Sequence, residues 1–72
     1  MKKFEKGSLV SWNWGKGSAK GTVKESYTSK VSRQIKGTEV TRNASGNEPA
    51  YLVEQEGGDE ALKSHSELES AS

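Results

Sequence analysis

The stretch Leu9-Val10-Ser11-Trp12-Asn13-Trp14-Gly15-Lys16-Gly17-Ser18-Ala19-Lys20-Gly21-Thr22-Val23 reads as a β-hairpin. Val10, Trp12 and Trp14 alternate with Ser11 and Asn13, the period of two that marks a half-buried strand. Gly15 to Ser18 is a turn, because two glycines in three positions suit a tight reversal. The second strand runs from about Ala19 to Thr28. Ala19, Gly21, Val23 and Tyr27 fall on one face, and Lys20, Thr22, Lys24, Ser26 and Thr28 on the other. Gly21 inside this strand marks a bend or a close backbone approach. A small barrel needs such a bend so that one long strand can serve both of its sheets.

Outward from the hairpin, Phe4-Glu5-Lys6-Gly7-Ser8 leads in. Ser29 to Gly37 is polar apart from Val31 and Ile35, and fits either a mobile loop or the far end of a long hairpin. Thr38 to Ala44 is a third strand, supported by its β-branched residues, with Val40, Arg42 and Ala44 on one face. Ser45-Gly46-Asn47-Glu48-Pro49 is a turn. Ala50 to Gln55 is a fourth strand, and its run of Tyr51, Leu52 and Val53 makes it central. After Gly57-Gly58-Asp59, Ala61 to Ser64 forms a short fifth strand. Ser64-His65-Ser66-Glu67 fits a capping box and predicts a helical turn through Leu68, with residues 69–72 frayed. Five short strands separated by Gly-rich turns predict an all-β barrel or sandwich. At this length a five-stranded barrel with a short C-terminal helical turn is the economical solution. The expected core is Val10, Trp12, Val23, Val40, Tyr51, Val53 and Leu68.

Composition agrees with one small domain over residues 1–72, its core about 4–68. Only 29% of the 72 residues are apolar, and the mean hydropathy is −0.92. Folding is favoured by a net charge of +1 and by two Trp, two Tyr and one Phe. Cysteine is absent, which points to the cytoplasm and removes thiolate chemistry. The basic start Met1-Lys2-Lys3 has no apolar run behind it, so neither a signal peptide nor a membrane span is expected. Charge is split along the chain. Residues 1–42 carry ten Lys or Arg against three acids, and residues 43–72 carry Lys63 against seven acids. This split can mark a nucleic-acid face, but the basic residues are scattered rather than clustered, which favours strands from the two halves pairing and offsetting each other.

Phe4-x-x-Gly7-Ser8-x-Val10-Ser11-Trp12, Gly21-Thr22-Val23, Val40, and Ala44-Ser45 with Pro49-x-Tyr51-Leu52-Val53-Glu54 together resemble the Tudor-like domain of the hypervirulence-associated proteins. The resemblance runs from Phe4 to about Leu68, and Pro49-x-Tyr51-Leu52-Val53-Glu54 is its most specific part. It implies an SH3-like, Tudor-like barrel, found mainly in small bacterial proteins, with no established biochemical activity. The chain departs from that pattern at Ser8, where Asp is usual, at Trp14, where a small residue is usual, and in a longer Thr28 to Gly37 stretch.

The residues favour binding over catalysis. His65 stands alone at the start of the terminal turn, without the spaced nucleophile and orienting partner that base catalysis needs. The run Glu54, Glu56, Asp59, Glu60 lacks the ordered ligand spacing of a calcium loop and reads as a solvated turn. No cofactor or metal is implied. Two binding readings stand beside a plainer one in which all five aromatics build the core. In the first, Trp14, Tyr27 and Tyr51 wall an aromatic groove for a protein or peptide ligand, or for a methylated cation held by cation–π attraction. In the second, Lys16, Lys20, Lys24, Lys30, Arg33 and Lys36 hold a nucleic acid, with Trp14 or Tyr27 stacking on a base. The near-balanced charge and a pI of about 8.0 favour the protein ligand. A monomer, or a weak homodimer through an exposed strand edge, is expected.

Overall fold

Strand β1 (Leu9–Trp14) turns through Gly15 and Lys16 into the long β2 (Gly17–Tyr27). Next come β3 (Val31–Ile35), β4 (Thr38–Arg42), β5 (Ala50–Gln55), β6 (Glu60–Ser64), a 3-10 turn (His65–Glu67) and β7 (Glu69–Ser70). The structure, a computed structural model, describes residues 3–71. Five strands form one antiparallel sheet in the order β6-β5-β2-β1-β7, while β3 and β4 pair with each other in a second sheet. The fold is all-β, as the alternation predicts. It is not the closed five-stranded barrel expected: the described strands are seven, in two sheets, and the barrel stays open. The reason is the polar stretch after Tyr27. It is a strand, and it takes β4 as its partner instead of leaving β4 to the main sheet.

Local geometry explains both short hairpins. In the β1–β2 turn Gly15 has φ 57°, and Trp14 pairs with Gly17. In the β3–β4 turn Lys36 has φ 53° and Gly37 φ 78°, so both central residues are left-handed, as a two-residue type I′ connection requires. A bulge at Lys24 changes the parity of β2. Val23 pairs with Val53, Glu25 with Leu52, and Tyr27 with Ala50. One residue is therefore extra in β2, and the side chains beyond it exchange faces. Tyr27 does not share the face of Val23, as strict alternation predicts; it lies on the face of Ala50 and Leu52.

The core cluster is Val10, Trp12, Val23, Tyr51, Val53 and Leu68, with Phe4, Ala19 and Ala61 packed against it. Six of the seven expected core residues form this cluster; the seventh, Val40, does not, and is half-buried on the separate hairpin. A second buried pair lies behind the sheet. Leu52 and Leu62 face each other across β5 and β6, each 2% exposed. The β3–β4 hairpin lies along β6. Its half-buried Val31, Ile35 and Val40 share one face by register.

At Gly21 the backbone passes close to the Trp12 indole. A Cβ there would sit 2.7 Å from the Glu54 carbonyl oxygen and 3.2 Å from the Trp12 ring. At the far end of the core, the Phe4 N–H donates to the Tyr51 hydroxyl at 3.1 Å, and that hydroxyl lies 2.9 Å from His65 Nδ1. The Phe4 ring stacks on His65 at 4.9 Å. His65 is thus half-buried and partnered rather than a free surface residue. The 3-10 turn forms where the capping box predicts it, with Glu67 accepting the Ser64 N–H at 2.8 Å. Residues 69 and 70 do not fray: Val10 pairs with Ser70, Ser11 with Glu69, and the Ala71 N–H donates to Leu9. Met1, Lys2 and Ser72 lie outside the described residues.

Candidate ligand-binding groove

Trp14 is 66% exposed, and its position on β1 explains why. Val10 and Trp12 reach the core from the same side of the strand, but Trp14 lies one step beyond the last core layer. Its ring borders a groove of about 440 Å³ between the end of β1, the β3–β4 turn and the β5–β6 turn. Lys36 and Asp59 line the far side, and their side chains meet at 3.1 Å. Lys63 lines it too, with its ammonium 5.9 Å above the Trp12 ring, a cation–π contact. The groove thus joins one exposed indole to charges of both signs.

The structure separates the three aromatics expected to form one wall. Trp14 is exposed. Tyr51 is 0% exposed and belongs to the core, because it sits mid-strand on central β5. A ring with no surface cannot wall a binding site, so that expectation is corrected. Tyr27 is half-buried at the opposite end of β2 from the turn that carries Trp14, and its hydroxyl accepts from Arg33 at 3.3 Å.

The six basic positions are dispersed as well. Lys24 pairs with Glu60 at 3.0 Å and Glu54 at 3.8 Å. The hydrogen bond to Glu60, and then the charge of Glu54, hold its ammonium pKa above the usual 10.5. Lys36 is engaged by Asp59, and Arg33 by Tyr27. Lys16, Lys20 and Lys30 are exposed and form no ion pair among the described residues. Across the molecule, bases of the first half meet acids of the second: Lys24 with Glu54 and Glu60, Lys36 with Asp59, and Arg42 with Glu67. Offsetting halves, the plainer of the two charge readings, is what forms here.

Sequence reasoning missed Asp59, Glu60 and Lys63 as neighbours of Trp14. Nothing in their spacing announces it. One signal was present: Lys36-Gly37 between Ile35 and Thr38 has the X-Gly form of a two-residue hairpin turn, which would have brought Lys36 to a turn tip. Among the described residues no three His, Cys, Asp or Glu gather to hold a metal, and no helix is long and apolar enough to cross a membrane.

The family model described as hypervirulence associated proteins TUDOR domain matches residues 7–68. The chain belongs to this family. The match begins at the glycine before β1 and ends at Leu68, so it takes in the main core and the whole Trp14 groove. No curated protein and no solved structure is significantly similar to the chain. Tudor-like domains are generally small, non-catalytic binding modules. The hypervirulence-associated Tudor fold met here agrees with that role, since among the described residues its most exposed large apolar side chain is an indole at a groove.

Proposed function

We propose that this Tudor-family domain is a non-enzymatic cytoplasmic module that binds a protein segment or peptide in the Trp14 groove. The observation that carries this reading is the 66% exposure of Trp14 between paired charges of opposite sign. An exposed Trp offers more apolar area and packing energy than any other side chain, and such residues dominate measured protein interfaces. Mixed charge beside it suits a peptide carrying both signs and gives no net field to draw in a polyanion.

Nucleic acid is the competing ligand. It retains Lys16, Lys20 and Lys30, and Trp14 as a stacking platform. It loses Lys24 and Lys36 to acidic partners and Arg33 to Tyr27. The deciding experiment is a selection of random dodecamer peptides on the immobilised domain, followed by binding of the best peptide at low and physiological salt. The expected result is weak salt dependence and a loss of about tenfold or more in Trp14→Ala, the size of one hot-spot contact. If no peptide is selected, and mixed oligonucleotides instead shift the amides of Lys16, Lys20 and Lys30 in a salt-sensitive way, the reading is wrong.

A further inference from the structure

Strand β1 is covered by β7 along only part of its length, and the uncovered end opens into the Trp14 groove. The pairing with β2 fixes which backbone groups face which way. The Val23 N–H donates to the Ser8 carbonyl at 3.0 Å, and Trp14 closes the two-residue turn against Gly17. Counting in twos between these pairs, Val10, Trp12 and Trp14 turn their N–H and C=O groups toward β2. Leu9, Ser11 and Asn13 turn theirs toward the other edge. There β7 serves the first two: the Ala71 N–H donates to the Leu9 carbonyl at 2.9 Å, and Ser11 pairs with Glu69. Asn13 lies one step further, level with a part of the chain already wound into the 3-10 turn. Its edge-facing N–H and C=O have no hydrogen-bond partner among the described residues.

Two hollows meet at this residue. One is the Trp14 groove; the other, about 220 Å³, lies between Ser11 to Asn13 and the Ser66–Glu67 turn. We propose that an extended segment of another protein adds as a short strand along this open end of β1, pairing with Asn13 and laying one bulky apolar side chain on Trp14. The inference rests on the peptide reading above and specifies how the peptide is held. A donor and an acceptor spaced as in a strand are met by another peptide backbone and by few other ligands. Among the described residues Asn13 alone leaves both groups open at this end of β1, so the added ladder is short. Affinity therefore depends on the Trp14 contact and on charged side chains reaching Lys36 and Asp59. A second copy is a poorer occupant. The 3-10 turn and the β3–β4 turn flank Asn13, and a strand still attached to its own sheet would drive that sheet into them. A free extended chain carries no such bulk.

The test uses the intact labelled domain and the synthetic form of a peptide selected from random dodecamers. Saturating peptide is expected to slow hydrogen exchange of the Asn13 amide about tenfold or more, since that amide passes from water to a hydrogen bond. Asn13→Pro should weaken binding about tenfold while leaving the amide spectrum dispersed, because this N–H is not used in the ladder with β2. If the Pro variant does not fold, methylating the peptide amides one at a time asks the same question of the ligand. One methylated position should abolish binding. Unchanged Asn13 exchange together with sensitivity to Trp14→Ala would overturn strand addition and leave the peptide groove standing. Failure to select any peptide would overturn both.

Discussion

Gly21 shows how one missing side chain organises this core. The backbone of β2 passes under the Trp12 ring with no room for a Cβ, and the obstacle on the other side is the Glu54 carbonyl, which is held in the ladder. Gly21→Ala is therefore expected to destabilise the fold by about 1–3 kcal/mol, the usual cost of overpacking, read as a lower denaturant midpoint with an unchanged slope. Tyr51 tests the opposite end of the core. Tyr51→Phe keeps the ring but leaves the Phe4 N–H without its acceptor and His65 Nδ1 without its partner. A loss of about 1–3 kcal/mol should appear in the same measurement. Trp14→Ala, by contrast, should change stability by no more than about 0.5 kcal/mol, because little of the ring is packed. At this scale the sequence was informative about Gly21 and Trp12, where a glycine or an aromatic breaks or extends a regular alternation. For Tyr51 it supported two places, core and groove wall, and the ring lies in the core. Parity says which side of β5 a ring takes, but whether that side is core or wall depends on which strands lie across from it.

The β3–β4 hairpin is the element that alternation alone could not settle. Its solvent face, Ser32, Gln34, Glu39 and Thr41, is as polar as a loop. Its other face joins three half-buried aliphatics to Arg33 and Arg42. The turn that closes it places Lys36 in the left-handed region, where non-glycine residues are uncommon. β7 left no trace in the sequence either, since two residues pairing with a strand near the other terminus carry no local period. The hairpin has no ladder to the main sheet, so its amides should exchange well ahead of those in β5 under native conditions. Side chains tie it down, and Arg42 to Glu67 at 3.3 Å is one such tie. Burial pushes the Glu67 carboxyl up. The Ser64 N–H and the Lys63 and Arg42 cations together outweigh it and hold the carboxyl below its usual 4.5. A carboxyl depressed in the folded state stabilises fully above its unfolded value, and that contribution fades as pH falls through the folded one. The gap in melting temperature between the natural protein and Glu67→Gln should therefore narrow as the solution is acidified below about pH 4.5.

For the molecule as a whole, the two charged halves of the chain are interleaved by the strand order, and the ion pairs that result are mostly at the surface. Each such pair contributes on the order of 0–1 kcal/mol, and salt screens it. Raising salt from low to physiological should accordingly lower the melting temperature only slightly. A large drop would mean that the pairs hold the fold together. Charge composition indicates that the halves can cancel, but only the pairing of β2 with β5, and of β5 with β6, determines which acids Lys24 meets. The family could be read from contiguous strings such as Pro49 to Glu54. The groove could not, because its walls come from three turns far apart in the chain. The same separation bears on how the chain assembles. The central pairing of Tyr27 with Ala50 spans the segment that contains the small hairpin. A two-residue turn closes within microseconds, so β3–β4 can form first and shorten the search that joins β2 to β5. What looks like an appendage in the finished structure would then act as a clamp on the unfolded chain. Weakening its turn would slow the folding rate more than it speeds unfolding.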